Sequence, residues 1–214
     1  MDGASWRFTN CGVRCVGGVG VMCVRRAEAS FDSCEIGGVG PGSERASDGV
    51  VAMHDSSCAL QECVVEHNCN VAVLAHAGSS EGTITNSTLK DNFIGCGVDD
   101  ASSLTVCLSS MHHNLHGAVY IGHNAHEAEV ELTENTVVGT LWVGPKDSLK
   151  TLVEEKNTLL RAPEGSQEPE PQGLELRLES QGLGSEGLGS EVQGLGSEAQ
   201  GLGVRHQSQG LGSE

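Results

Sequence analysis

The chain has 214 residues, which is enough for one domain and an additional segment. It contains 12 Lys and Arg against 29 Asp and Glu, so its formal net charge is −17 at pH 7. This charge disfavours nucleic acid and anionic lipid as partners, because binding to both depends on Lys and Arg. No apolar run reaches the ~18 residues that a membrane-spanning helix needs.

The N-terminal sequence MDGASWRFTN has neither the basic nor the apolar region of a signal peptide. The chain contains nine cysteines, and an odd number without an export signal favours reduced thiols over a disulfide framework. We therefore expect a cytoplasmic protein that binds no nucleic acid and no membrane. No sequence pattern indicates a cofactor.

A small residue recurs along the chain at spacings of 23, 29, 24, 22, 26 and 22 residues, with apolar residues on both sides. The series is Cys11, Cys34, Cys63, Ser87, Ser109, Asn135 and Asn157. A period in this range is typical of a solenoid. Apolar residues at alternate positions around each small residue indicate a strand with one buried face. If each copy is one turn of a coil, equivalent residues stack ~4.8 Å apart, and stacked Asn side chains hydrogen-bond from turn to turn.

A second strand in each repeat is indicated by Gly followed four residues later by a mostly apolar residue. The pairs are Gly18/Met22, Gly49/Met53, Gly117/Ile121 and Gly139/Val143. Asn70/Leu74 fits if Asn70 adopts the left-handed conformation that Gly usually takes. Gly95/Asp99 places a carboxylate at the end of the strand. This alignment predicts one column that contains Met53, Leu74, Asp99 and Ile121.

Two segments depart from the regular period. Residues 37–48, GGVGPGSERASD, form a Gly-, Pro- and Ser-rich insert, of the kind that supplies the variable, binding edge of a solenoid. Residues 147–161 fit either a helix capped by Ser148 or a partial seventh turn. We favour the turn, because Asn157 and the two residues after it repeat Asn135 and its two successors 22 residues later.

The pattern stops near Ala162, where variants of Gln-Gly-Leu-Gly-Ser-Glu begin to recur. Gly opposes helix and strand, and the isolated Leu residues cannot build a core. Residues 162–214 are therefore predicted to be a disordered acidic tail that follows a β-domain at residues 5–161.

The repeats Ile84–Val98 (ITNSTLKDNFIGCGV) and Val106–Ile121 resemble the right-handed parallel β-helix repeat of the pectin lyase-like superfamily. The resemblance implies an all-β, right-handed parallel β-helix solenoid of about six full turns and a partial seventh. The short turns and the Cys-bearing ladder, as at Phe31–Ile36, are most similar to the β-helix of F-box adaptor proteins. The superfamily contains polysaccharide lyases, hydrolases and epimerases as well as non-catalytic repeats, so the resemblance implies no single function.

Polar residues at the ends of the second strands form the candidate catalytic group: Asp55, His76, Asp99, Asp100 and His123. On adjacent turns they would lie along one edge, where two carboxylates can act as acid and base on a glycoside, or carboxylates and histidines can hold a divalent metal. The alternative is that they are ordinary turn residues. The Asp99–Asp100 pair resembles that of polygalacturonase-like enzymes, but their Asn-Thr-Asp, Gly-His-Gly and Arg-x-Lys elements are missing. Lys90 is the only Lys or Arg between Val50 and Val143, which argues against a lyase.

The densest group of histidines is His112, His113 and His116. Because adjacent residues of a strand point to opposite sides, His112 and His113 are expected to be a poor chelating pair. No Cys-x-x-Cys or His-x-x-x-His spacing accompanies them, so the sequence predicts surface histidines and no metal site.

Three functions remain open. The first is a non-catalytic module that binds a protein or polysaccharide partner, either alone or as a fragment of a larger adaptor. The second is a carbohydrate-active enzyme, a hydrolase, lyase or epimerase, that uses the Asp/His edge. The third is a structural spacer. A solenoid that begins without a capping helix also predicts end-to-end self-association or missing flanking segments. A deep, charged groove would favour the enzyme, and a flat face would favour the binding module.

Overall fold

The computed structural model describes residues 3–40 and 47–162, which form a parallel β-solenoid of seven turns. The first three turns contain β1 (Ser5–Thr9), β2 (Gly12–Arg14), β3 (Gly18–Val24), β4 (Glu28–Asp32), β5 (Glu35–Gly37), β6 (Ser47–Met53), β7 (Ser57–Gln61), β8 (Val64–Glu66) and β9 (Val71–His76). The next three contain β10 (Glu81–Thr85), β11 (Thr88–Lys90), β12 (Ile94–Val98), β13 (Ser103–Cys107), β14 (Ser110–His112), β15 (Gly117–Ile121), β16 (Glu129–Thr133), β17 (Thr136–Val138) and β18 (Trp142–Val143). The partial seventh turn contains β19 (Thr151–Glu155) and β20 (Thr158–Leu160).

The strands form three parallel sheets along the solenoid. The first sheet has the order β1-β4-β7-β10-β13-β16-β19, the second β2-β5-β8-β11-β14-β17-β20, and the third β18-β15-β12-β9-β6-β3. Short 3₁₀ turns occur at Ala125–Glu127 and Lys146–Ser148. Six three-stranded turns and a two-stranded seventh confirm the predicted number of turns. Strands β19 and β20 also confirm that a partial seventh turn, rather than the alternative helix, follows the sixth turn. No helix within the described residues is long and apolar enough to cross a membrane.

A sharp corner separates the first sheet from the second in every turn. The residue just before each small residue of the ladder has a positive φ, between 48° and 58°. These residues are Asn10, Ser33, Glu62, Asn86, Leu108, Glu134 and Lys156. The sequence predicted one continuous strand across this position, and that prediction was wrong. The left-handed residue turns the chain, so the apolar positions before and after it belong to two different sheets.

The small residues after this corner form a ladder of hydrogen bonds along the solenoid. The backbone N–H of Cys63 donates to Ser87 Oγ at 3.0 Å, and that of Ser87 donates to Ser109 Oγ at 3.1 Å. The N–H of Ser109 donates to Asn135 Oδ1 at 2.9 Å, and that of Asn135 donates to Asn157 Oδ1 at 3.0 Å. Asn135 Nδ2 also donates to Asn157 Oδ1 at 3.1 Å. The predicted bonding from turn to turn is confirmed.

A second ladder, formed by Asn68, Asn92 and Asn114, lies at the corner between the second and third sheets. Asn92 Oδ1 accepts the backbone N–H of Asn68 at 3.0 Å and its Nδ2 at 2.9 Å. Asn92 Nδ2 donates to Val65 O at 3.0 Å and to Asn114 Oδ1 at 3.2 Å. Within the described residues, Asn68 Oδ1 is the one buried side-chain oxygen or nitrogen without a hydrogen-bond partner. The chain at this corner is thus held by side-chain amides rather than by a left-handed Asn70.

The register of the third sheet differs from the one predicted. Asn70 does not have a positive φ, and β9 begins one residue later, at Val71. Met53 therefore pairs with His76, and Leu74 pairs with Val51 and Gly97. The predicted column of Met53, Leu74, Asp99 and Ile121 does not form. Ile121 instead pairs with Val98, so Asp99 lies one residue beyond the row that contains these two.

The core is a stack of inward-pointing apolar side chains from all three sheets. The largest of the fully buried ones are Phe31, Ile36, Leu60, Ile84, Leu89, Ile94, Leu104, Met111, Ile121 and Leu132. Phe8 stacks on Phe31, with ring centroids 4.9 Å apart and planes 7° from parallel. Since like positions repeat in every turn, each core side chain packs on an equivalent from the next turn.

Two of the sequence predictions involve residues outside those described. Positions 41–46 of the 37–48 insert lie outside them, and so do residues 163–214 of the predicted tail. The described strands extend from Ser5 to Leu160, and the assignment of a tail at 162–214 stays a prediction.

Asp48, near the start of β6, makes the stability of the fold depend on pH. Its Oδ1 accepts the Val71 N–H at 3.0 Å. Burial raises the pKa of Asp48 from 3.8 to about 6, although hydrogen bonds from Val71 and Asn70 act in the opposite direction. The folded chain therefore holds this proton more tightly than the unfolded chain, so stability falls as the pH rises from about 4 to about 6 and remains lowered above that range. We expect Asp48→Asn to raise Tm at pH 7 and to change it little at pH 4.

Thermal unfolding of the wild type and of Asp48→Asn at both pH values checks this expectation. The matched control is Asp147→Asn, at an exposed carboxylate. An equal change in Tm at the two pH values for Asp48→Asn would contradict the assignment of the pH dependence to Asp48.

Candidate functional site

The candidate edge lies where the strands of the third sheet end. The backbone N–H of Asp99 donates to Ala75 O at 3.0 Å, which continues the pairing of Val98 with Ala75 by one residue. His76 is consequently level with Asp99 on the next turn. The shift in register relative to the sequence prediction therefore brings His76 and Asp99 closer than the predicted column would have placed them.

Three of the five predicted residues converge around one imidazole nitrogen. His76 Nδ1 lies 3.8 Å from Asp99 Oδ2 and 3.6 Å from Asp100 Oδ2. The His76 side chain is 38% exposed and that of Asp99 only 15%, so the group lies at the surface with one carboxylate mostly covered. We name His76, Asp99 and Asp100 the edge triad.

Asp99 is also a structural residue of the following turn. Its Oδ1 accepts the backbone N–H of Asp100 at 2.9 Å and that of Asn124 at 3.2 Å. Its carboxyl group lies against the Cα of Gly122, where any Cβ would overlap it. These contacts were not predictable from the sequence, because they depend on the backbone of the next turn rather than on a motif.

The other two predicted residues are not part of the edge triad. Asp55 Oδ1 accepts the backbone N–H of Ser79 at 3.1 Å, and its carboxyl group lies beside Gly78, which has a φ of 77°. His123 is exposed and forms no ion pair with any described residue. Asp55 therefore holds a loop, and His123 lies free at the surface of the described structure.

The edge triad brings one imidazole within ion-pair distance of two carboxylates. A glycoside hydrolase needs a pair of carboxylates with the sugar between them. Here both carboxylates lie within 4 Å of the same imidazole nitrogen, His76 Nδ1. Lys90, the one candidate base for a lyase in the middle turns, pairs instead with Glu66 at 2.8 Å. Among residues 3–40 and 47–162, no three His, Cys, Asp or Glu side chains are arranged to hold a metal ion.

His112 and His113 are arranged differently from the sequence prediction. Their Nδ1 atoms lie 3.3 Å apart, and their rings meet edge to face with centroids 4.8 Å apart. His113 has a φ of 55°, which turns its side chain to the side of His112. The prediction that they point to opposite sides was wrong, because it assumed an extended backbone through both residues.

The nine cysteines are all free thiols in the structure. The Sγ atoms of Cys34 and Cys63 donate to the carbonyl oxygens two residues earlier, at 3.3 and 3.2 Å. Burial raises the pKa of Cys58 and of Cys96 to about 12. These buried thiols stay protonated at neutral pH and act as small apolar side chains.

The outward side of the first sheet is a long, regular surface made mostly of hydroxyl, carboxylate and carboxamide side chains. In β4, β7, β10, β13 and β16 the buried residues alternate with exposed or half-buried ones. We name the outward residues of these strands the first-sheet face: Glu28, Ser30, Asp32, Ser57, Ala59, Gln61, Glu81, Thr83, Thr85, Ser103, Thr105, Cys107, Glu129, Glu131 and Thr133. With ~4.8 Å between strands, five strands extend this face over roughly 20 Å.

Comparison with known proteins gives a family and no individual relative. The family model described as the right handed beta helix region matches residues 1–144. No curated protein and no solved structure matches the chain. The family match confirms the resemblance seen in the repeats, and pectin lyase-like proteins are consistent with it.

Proposed function

We propose that this chain, which belongs to the right-handed β-helix family, is a non-catalytic module that binds a protein or carbohydrate partner through the first-sheet face. The proposal rests above all on the in-register array of hydroxyl, carboxylate and carboxamide groups on that face. The family shares a fold, and a fold by itself hosts many functions. The argument for binding therefore depends on the surface of this chain.

The chemistry of the first-sheet face suits a partner that offers many hydrogen bonds. Neighbouring turns place Thr83 level with Thr105 and Glu81 level with Ser103, so equivalent groups repeat at the inter-strand distance. The Ser and Thr side chains of this face lose little conformational entropy when a ligand orders them. The net charge of −17 favours a neutral or basic partner over an acidic one.

The contacts of the edge triad support a binding function over catalysis. Asp99 Oδ1 already accepts two backbone N–H groups, and both carboxylates lie within 4 Å of the same His76 nitrogen. The two carboxylates of a catalytic pair must instead be free to act on the reacting bond. Asp99 thus stabilises the turn that contains Asn124.

The test measures binding of the full chain to a glycan array and to a displayed peptide library. Thr83→Arg/Thr105→Arg places two large cations on the first-sheet face, on paired strands. Thr88→Arg/Ser110→Arg is the matched control, because this pair occupies equivalent outward positions on the second sheet. We expect ligands of the wild type to lose at least tenfold in affinity for the face variant and to bind the control normally.

A second candidate function is acid–base chemistry on a carbohydrate at the edge triad, favoured by the convergence of Asp99 and Asp100 on His76. The same arrays with Asp99→Ala/Asp100→Ala separate it from the first. Binding lost in this variant but kept in the face variant would overturn the first-sheet face proposal and justify a hydrolase assay. The absence of any ligand for the wild type would contradict both functions and favour the structural spacer.

A further inference from the structure

We propose that the first turn of the solenoid, residues 3–27, docks an acidic, extended segment of a partner polypeptide, which adds a strand to the open sheet edges of this turn. We name residues 3–27 the basic end. This surface differs from the first-sheet face and from the edge triad, so the inference goes beyond the proposed function and does not depend on it.

The basic end carries positive charge in an otherwise acidic chain. Residues 3–27 contain four Arg and neither Asp nor Glu, although the whole chain has a net charge of −17. The four exposed arginines are Arg7, Arg14, Arg25 and Arg26. Of these, only Arg7 forms an ion pair with a described residue, at 3.7 Å from Asp32 Oδ2. The other three cations are available to a partner that supplies carboxylates.

Each strand of the basic end is an edge strand. Within the described structure, β1, β2 and β3 pair only with β4, β5 and β6, respectively. An edge strand presents unpaired backbone N–H and C=O groups, to which an extended segment of another chain can hydrogen-bond. Backbone pairing provides affinity without selecting a sequence, so the arginines supply the preference for acidic side chains.

The basic end also exposes apolar side chains whose equivalents in the following turns are buried. Trp6 is 62% exposed, whereas Ala29, its partner in β4, is 5% exposed. Phe8 is half-buried, and its partner Phe31 is 1% exposed. A strand added beside β1 would cover Trp6 and Phe8 with apolar residues at alternate positions, and would place the residue between them level with Arg7. The docked segment should therefore alternate apolar and acidic residues.

A second copy of this chain fits the basic end poorly. Two basic ends placed together would bring two clusters of four Arg into contact. At the opposite end of the solenoid, Glu154 occupies the register position that Leu132 takes in the core one turn earlier. In a head-to-tail assembly this position would be level with Phe8, and a charge at an inward position opposes strand pairing. Charge complementarity thus favours a different, acidic polypeptide.

The experiment titrates a short fluorescent peptide, in which Val and Glu alternate, with the full chain and measures its anisotropy. The same peptide with Lys in place of Glu tests the charge requirement. The peptide with Pro in place of Val tests strand pairing, because Pro lacks the backbone N–H and is excluded from regular strands. We expect the wild type to bind the Val-Glu peptide and neither of the other two.

Arg7→Glu/Arg14→Glu reverses two charges of the basic end and should weaken binding of the Val-Glu peptide at least tenfold. Lys146→Glu/Lys156→Glu is the matched control, because it changes the net charge equally near the opposite end of the solenoid and should leave the affinity unchanged. All four substituted residues are exposed, so both variants should melt near the wild type.

The first-sheet variant Thr83→Arg/Thr105→Arg should bind the Val-Glu peptide at least as well as the wild type, because β10 and β13 lie three and four strands from β1. This result separates the basic end from the first-sheet face. Equal affinity of the peptide for wild type and Arg7→Glu/Arg14→Glu, equal binding of the Pro-Glu peptide, or no binding by the wild type would overturn the proposal. Sedimentation of the full chain alone that showed self-association, lost in Arg7→Glu/Arg14→Glu, would also overturn it by making a second copy the occupant.

Discussion

Replacing Asn92 by Ala should lower the free energy of unfolding by about 2–5 kcal/mol, because the change leaves several buried polar groups without partners. Asn92 is fully buried in the second ladder. Its removal deprives the backbone N–H of Asn68 and the carbonyl oxygen of Val65 of their hydrogen bonds. Each buried group left unsatisfied costs about 1–3 kcal/mol. The small Ala side chain also leaves a void in the corner.

The measurement is urea unfolding of Asn92→Ala beside Asn124→Ala. Asn124 is exposed, and its side chain does not hydrogen-bond to the 3₁₀ turn that follows it. We expect this control to change stability by less than about 0.5 kcal/mol, as exposed substitutions usually do. If the two variants unfolded at the same urea concentration, the second ladder would not be the source of stability that its hydrogen bonds indicate.

The second large effect is expected for Ile84→Ala, which should cost about 2–5 kcal/mol through the lost apolar contacts and the cavity that remains. Ile84 has no exposed surface and lies between Leu60 and Val106 in the inward column of the first sheet. The neighbouring turns are fixed by their own hydrogen bonds, so the core cannot easily collapse into the space.

Thr83→Ala is the matched control for this substitution, since Thr83 is adjacent and points outward from the same strand. Chemical unfolding of both variants should show a large loss for Ile84→Ala and a small change for Thr83→Ala. A similar loss in both would mean that the period-2 alternation does not separate a buried side from an exposed side in β10.

The sequence predicted the number of turns and the first ladder because both follow from side-chain types that recur along the chain. Ser87, Ser109, Asn135 and Asn157 recur at nearly constant spacing with apolar neighbours, and a repeated type at a repeated position implies stacking. The family match then adds the hand of the coil.

The division into three sheets and the register of the third sheet were not predictable from side-chain type. The corner before Ser109 is formed by Leu108, a bulky residue with a φ of 53° that local preferences would not place there. The backbone conformation at these positions is imposed by hydrogen bonds to the neighbouring turns. These hydrogen bonds cannot be inferred from the sequence of a single repeat.

The candidate sites show the same contrast between features that side-chain type predicts and features that backbone conformation determines. The sequence placed His76, Asp99 and Asp100 on one edge, and these three do converge. Asp55 instead accepts the backbone N–H of Ser79, and His123 is exposed. The approach of His112 and His113 depends on one positive φ. Functional geometry at the surface of a solenoid is thus decided mainly at its corners.

The order of strands in the three sheets determines which duplications and deletions such a chain can tolerate during evolution. Each strand pairs only with its counterparts one turn before and one turn after it. A duplication or deletion of one whole repeat would therefore join surfaces that already match, and would change the length of the solenoid by one strand spacing, ~4.8 Å. A deletion of half a repeat would instead put outward residues into the core along the rest of the chain. The solenoid can accordingly gain or lose whole turns with little cost, whereas differences of a few residues are confined to the loops, as the repeat spacings of 22 to 29 residues in this chain indicate.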